Sequence, residues 1–135
     1  MIYSKRLTTT GPTRIFTSSS TGAEIGSVSL DPLVPAGQIR AVTTIVVCNT
    51  GTPDLTDETI NSADLTLQLV PYNVAAGEEH IIVKNLTVPA GETIFFSDER
   101  IILSSGDYIV ATASAANLIS TTVSSMYVGV DGETI

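Results

Sequence analysis

Apolar positions along this chain come in short runs, cut at intervals of roughly 8–12 residues by Gly, Pro, Asp, Asn and Ser. Residues 88–114, VPAGETIFFSDERIILSSGDYIVATAS, show the pattern most clearly. Ile, Val, Phe and Tyr fill the runs; Pro-Ala-Gly, Ser-Asp-Glu and Ser-Ser-Gly-Asp fill the gaps. Stiff, β-branched and aromatic segments separated by turn formers predict strands joined by tight turns. Val-Pro-Ala-Gly also stands at 34–37, again ahead of an apolar run. The two copies are expected to form corresponding corners of one antiparallel sandwich.

In chain order, residues 1–7 suit a short strand, with Ile2, Tyr3 and Leu7 as strand formers. The Thr/Ser-rich stretch TTTGPTRIFTSSSTG follows, broken only by Arg14, Ile15 and Phe16. It carries too little apolar surface to fold on itself, so an extended arm or loose hairpin is expected. Ile15 and Phe16 would press on this domain or on a neighbouring subunit. Residues 23–30 alternate around Gly26, and the prolines at 32 and 35 make 31–37 a turn-rich crossing. Residues 40–49, RAVTTIVVCN, are apolar on both alternating faces and predict a central strand covered on both sides. The polar stretch 49–63 predicts a surface loop. In 64–71, Leu65, Leu67 and Leu69 should face the core, with Thr66 and Gln68 towards water. A strand over 78–88 changes phase near Lys84 and Asn85. Strands follow at 92–96, with Phe95 and Phe96 read as core, and at 100–103, 107–113 and 119–130. The alanine-rich 111–117 is too short, and too poorly capped, for a helix. The expected fold is therefore all-β: an antiparallel β-sandwich of about eight or nine strands, jelly-roll or Greek-key type. An N-terminal arm over 1–22 would precede a single domain over 23–135.

Charge adds an asymmetry. The chain has 135 residues and a net charge of −8, enough length for one domain with one core. Lys5, Arg6 and Arg14 are the only charges in the first fourteen residues, and all fourteen acids lie from Glu24 onward. An acidic body argues against broad contact with nucleic acid or an anionic membrane. A basic, partly apolar tip made of Lys5, Arg6, Arg14, Ile15 and Phe16 is the candidate partner-docking element. No apolar run is long enough to span a bilayer, and no apolar stretch follows the N-terminal basic residues, so a soluble chain without a secretory leader is expected.

Candidate chemistry is sparse. The single cysteine, Cys48, has no disulfide partner and reads as a buried strand thiol. The single histidine, His80, reads as a strand-end surface residue, with no Gly-x-Ser-x-Gly elbow to serve. One His and one Cys do not make a closed zinc site, and no phosphate-loop or dinucleotide pattern occurs. Asp54, Asp57, Glu58 and Asp64 lack the spacing of a helix-loop-helix calcium site. Glu78-Glu79 and Asp98-Glu99 are neighbours that a strand would point to opposite faces. Asn85-Leu-Thr87 matches a glycosylation acceptor but, with no secretory leader expected, reads as a chance match. With no Trp and few other aromatics, the chain lacks the stacking platforms of many carbohydrate modules. No catalytic residue, cofactor or metal is expected.

The run Ala41-Val-Thr-Thr-Ile-Val-Val-Cys-Asn-Thr50, the segment VKNLTVPAGET at 83–93, and SGDYIVATASAAN at 105–117 share one style and order. In these the chain resembles small β-sandwich structural proteins of tailed bacteriophages, which serve as head decoration proteins or as neck, tail and baseplate parts. The resemblance covers most of 41–130. It implies a non-enzymatic virion component assembled in the host cytoplasm. Its partners would be major capsid or neck and tail proteins and its own copies, in a homo-oligomer such as a trimer. A capsid decoration (cement) role is the first expectation, and a neck, tail or baseplate role is the alternative. A module binding host glycans or a receptor through loop 50–62 is the other alternative. The resemblance implies no site residues, because such proteins work through surfaces; the Thr/Ser-rich N-terminus would be the part specific to docking.

Overall fold

The computed structural model describes residues 2–18, 38–72, 74–97, 101–104 and 106–130. Nine strands occur among them: β1 (Ile2–Arg6), β2 (Thr13–Thr17), β3 (Gln38–Asn49), β4 (Ala63–Val70), β5 (Ile81–Val88), β6 (Thr93–Phe96), β7 (Ile101–Leu103), β8 (Tyr108–Ala113) and β9 (Ile119–Val130). The only helical element among the described residues is a single 3-10 turn over Glu78–His80, so none of them forms a helix able to cross a membrane.

The strands form two antiparallel sheets. One has the order β1-β9-β3-β6, with β7 also on β3; the other has the order β2-β8-β4-β5. Strands β6 and β7 lie end to end on β3, against Ile45–Cys48 and Arg40–Val42 respectively, and act as one interrupted strand. Counted so, the first strand pairs with the eighth, the second with the seventh, the third with the sixth and the fourth with the fifth. The four pairs alternate between the sheets. A long hairpin wound up in this way is a jelly roll, with two Greek keys.

The core lies between the sheets, built from Val42, Ile45 and Val47 of β3, Leu65 and Leu67 of β4, Ile109, Ala111 and Ala113 of β8, and Ile119 and Val123 of β9. Each set follows the two-residue period of its strand, apart from one bulge in β3 near Thr43. Leu69 is only partly buried, although its alternation with Leu65 and Leu67 places it on the inner side.

The N-terminal segment departs from expectation. Over residues 2–18 there is no arm and no hairpin. β1 adds to β9 in one sheet and β2 adds to β8 in the other, so this segment arches across the sandwich. The pairing of β2 with β8 slips between Arg14 and Phe16, a bulge that turns the consecutive Ile15 and Phe16 both inward. Both are fully buried in this domain's own core, as is Leu7, whose amide donates to Ile119 O at 2.9 Å. Each such side chain stabilises the fold by roughly 1.5–3 kcal/mol. The strand expected at 23–30 and the 34–37 corner, with the comparison between the two Val-Pro-Ala-Gly turns, fall outside the described residues.

Two turns and one bulge use the sequence signals that announced them. Glu92 N donates to Pro89 O, and Gly91 has φ +79°, giving a type II turn with glycine at its third position. A side chain at Gly106 (φ +91°) would overlap the Tyr72 ring, so glycine is needed there twice over. The phase change near Lys84 and Asn85 is a bulge against β4: Leu65 pairs with Leu86, but Leu67 pairs with Val83. Asn85 takes φ +50°, and its amide donates to Thr66 Oγ1 at 3.2 Å.

Candidate functional site

The five residues expected to dock a partner do not form one patch. Ile15 and Phe16 are core. Arg14 lies in the four-stranded sheet, its guanidinium 4.0 Å over the Tyr108 ring, a cation–π contact within the domain. Arg6 lies in the other sheet and donates from Nη2 to Asn117 O at 2.6 Å, fastening the loop before β9. Lys5 sits beside it on β1. The basic tip of the sequence is thus divided between the two sheets.

Loop 50–62 is exposed, as expected, but it is also closely tied. Its anchor is Asn49, fully buried at the end of β3. Asn49 Nδ2 donates to Asn61 O at 2.8 Å and to Val88 O at 2.9 Å, and its Oδ1 accepts from the Gly51 amide at 2.8 Å. At the tip the motif Asp-x-Thr occurs twice. Asp54 Oδ1 accepts from the Thr56 hydroxyl and amide and from the Asp57 amide; Asp57 Oδ1 accepts from the Thr59 hydroxyl and amide. These bonds, led by the threonine hydroxyl in each case, lower both carboxyl pKa values below 3.8. A carboxyl whose folded-state pKa is depressed stabilises the fold above its ordinary pKa, and that contribution fades as pH falls through the folded value. In a chemical-shift titration both side chains should therefore have midpoints below 3.8, and Thr56→Val should raise the midpoint of Asp54 while leaving Asp57 in place. Unchanged Asp54 titration in that variant would contradict the assignment. Leu55, the middle residue of the first motif, is fully exposed.

The other candidate side chains are structural. His80 is not a free surface residue: its Nδ1 accepts from the Gly77 amide at 3.0 Å, which closes the 3-10 turn, and its side chain is only 13% exposed. Its proton then sits on Nε2. Cys48 is half-buried rather than buried, because it points to the outer side of β3. Among the described residues no group of three His, Cys, Asp or Glu side chains could hold a metal ion. One pocket of about 160 Å³ lies between Pro53, Asp54, Glu58, Ile60, Pro89, Ala90 and Glu92. Another, of about 150 Å³, lies between the end of β4 and β7. Both are below the range of roughly 300–1,000 Å³ typical of small-molecule sites.

The feature that stands out is a face. The inner side of the five-stranded sheet is core; its outer side is set out by the strand register. One row runs Arg6, Ser120, Cys48, Thr93, and the next runs Ser4, Thr122, Val46, Phe95. Beyond them lie Ile2, Ser124 and Thr44, and then Met126, Ala41 and Ile102. No carboxylate lies in these rows, and the only charge is Arg6. Phe95 is 64% exposed, Met126 55% and Ile102 54%, so Phe95 is not the core residue the Phe95-Phe96 pair suggests. Phe96, one residue on, turns inward and packs on the core. The outer side of the four-stranded sheet differs. There Val70, Tyr108 and Val110 form a second small buried cluster, and residues 74–80 are tied across it by Tyr108 Oη to Val74 O (2.6 Å) and Gln68 Nε2 to Gly77 O (2.9 Å).

No protein-family model, no curated protein and no solved structure matches this chain.

Proposed function

We propose that this chain is a non-enzymatic structural subunit of a tailed-phage particle, a capsid decoration protein that works through its sheet surface. The observation that carries this reading is the Ser/Thr-rich outer face, free of carboxylates among its described residues, with exposed Phe95, Met126 and Ile102, on a protein of net charge −8. Large apolar side chains exposed on one flat face favour contact with another protein surface. The jelly roll is an architecture that capsid domains share, and the resemblance of segments 41–50, 83–93 and 105–117 to phage sandwich proteins points the same way. The partners are the shell proteins and other copies of the chain; a neck or tail position would use the same face. The test is co-sedimentation of the purified chain with heads and tails assembled without it. Saturable binding in a fixed ratio to a particle subunit is expected. A folded chain that stays in the supernatant with both heads and tails would overturn the reading.

A further inference from the structure

We propose that His80 is a proton-operated latch on residues 74–80, which form a strap over the outer side of the four-stranded sheet. The strap covers the buried cluster of Val70, Tyr108 and Val110, which lies outside the main core. Two bonds tie it to the sheet: Tyr108 Oη donates to Val74 O at one end, and Gln68 Nε2 donates to Gly77 O at the other. The Gly77 end depends on His80. Gly77 O also accepts from the His80 amide at 3.1 Å, and the Gly77 amide donates to His80 Nδ1 at 3.0 Å. The second of these bonds requires an Nδ1 that carries no proton. The inference does not rest on the proposed function, because the strap and the carboxylate-free face lie on different sheets.

Acid removes that acceptor. Histidine is the side chain that ordinarily changes charge between about pH 5 and pH 8, and both nitrogens of the charged ring are donors. Nδ1–H would then face Gly77 N–H, donor against donor. A second partner is already in reach. Glu79 Oε1 lies 3.7 Å from Nε2, too far for a hydrogen bond to the neutral ring but close enough to attract a charged one. Glu79 folds back over Gly77, where a Cβ would meet its Oε2 at 2.7 Å, so glycine leaves room for the carboxylate. On charging, the ring exchanges the Gly77 amide for Glu79, and the turn opens at the end that Gln68 holds. Of the other charged groups on the surrounding elements, Asp64 on β4 accepts from the Thr87 hydroxyl, and Asp107 accepts from the Tyr72 and Ser104 amides. Arg14 lies over the Tyr108 ring, while Glu78 on the turn and Lys84 on β5 are exposed. Opening the strap bares Val70, Tyr108 and Val110.

Native-state hydrogen exchange of the full chain between about pH 7.5 and about pH 5.5, corrected for the intrinsic pH dependence of exchange, tests the latch. With the β4–β8 ladder as reference, protection of the Gly77 and His80 amides should fall about 10-fold or more at the lower pH. His80→Asn should abolish this step, because its side-chain oxygen can accept from the Gly77 amide at either pH. Glu79→Gln should move the midpoint of the step to lower pH, because the charged ring loses the carboxylate that favours it. Imidazole nitrogen shifts at the higher pH should place the proton on Nε2. Protection that follows the ladder throughout, a step that persists in His80→Asn, a midpoint that Glu79→Gln leaves in place, or a neutral ring protonated on Nδ1 would overturn the inference.

Discussion

Deleting residues 1–18 is expected to unfold the domain. The segment supplies an edge strand to each sheet and places Leu7, Ile15 and Phe16 in the core, all fully buried. Losing three such side chains forfeits roughly 4.5–9 kcal/mol of apolar burial, which is comparable to the whole stability of a small domain. The newly bared edges of β8 and β9 would also invite aggregation. The milder Phe16→Ala should cost about 3–5 kcal/mol, as expected for a large aromatic removed from a packed interior. Thermal melts and amide chemical-shift dispersion read both effects. A truncated chain that keeps a cooperative melt and a dispersed spectrum would restore the arm and contradict the strand assignments of β1 and β2.

Asn49→Ala is the second large effect, with an expected loss of about 3 kcal/mol. Three hydrogen bonds of the Asn49 side chain join the end of β3 to the Gly51 amide, to Asn61 O and to Val88 O. Alanine removes all three and leaves the Val88 carbonyl, in a buried setting, without that donor; one orphaned buried group alone costs about 1–3 kcal/mol. Hydrogen exchange separates this from a general loss of stability. Protection should fall most at Gly51 and through loop 50–62, with the β4–β8 ladder least affected. Uniform loss across both sheets, or a stability change under 1 kcal/mol, would mean that the loop does not depend on Asn49.

Much of the fold was legible because strands announce themselves through period-two alternation and turn residues. Leu65 and Leu67 face the core as their spacing requires, and the bulge at Lys84 and Asn85 lies where the alternation changes phase. The N-terminus was misread for a physical reason. Its Thr/Ser-rich composition cannot form a core by itself, but β2 needs to supply only Ile15 and Phe16 to a core made by others, and the bulge that turns both inward leaves no periodic trace. Cys48 and Phe95 were misread because a run apolar on both faces does not say which face stays open; that depends on what covers the sheet. The carboxylate-free outer face left one signal in the sequence. β9, ISTTVSSMYVGV, has no charged residue in its 12 positions, and β3 has only Arg40. That two such strands lie side by side is a property of the topology, which no local pattern records.

Electron microscopy of the intact assembly tests the central claim most directly. The predicted map shows this jelly roll at symmetry-related positions on a phage particle, with the β1-β9-β3-β6 face buried against a neighbouring particle subunit and loop 50–62 at the periphery. A map in which that face is open to solvent in every copy, and contacts run through the acidic loop instead, would contradict it.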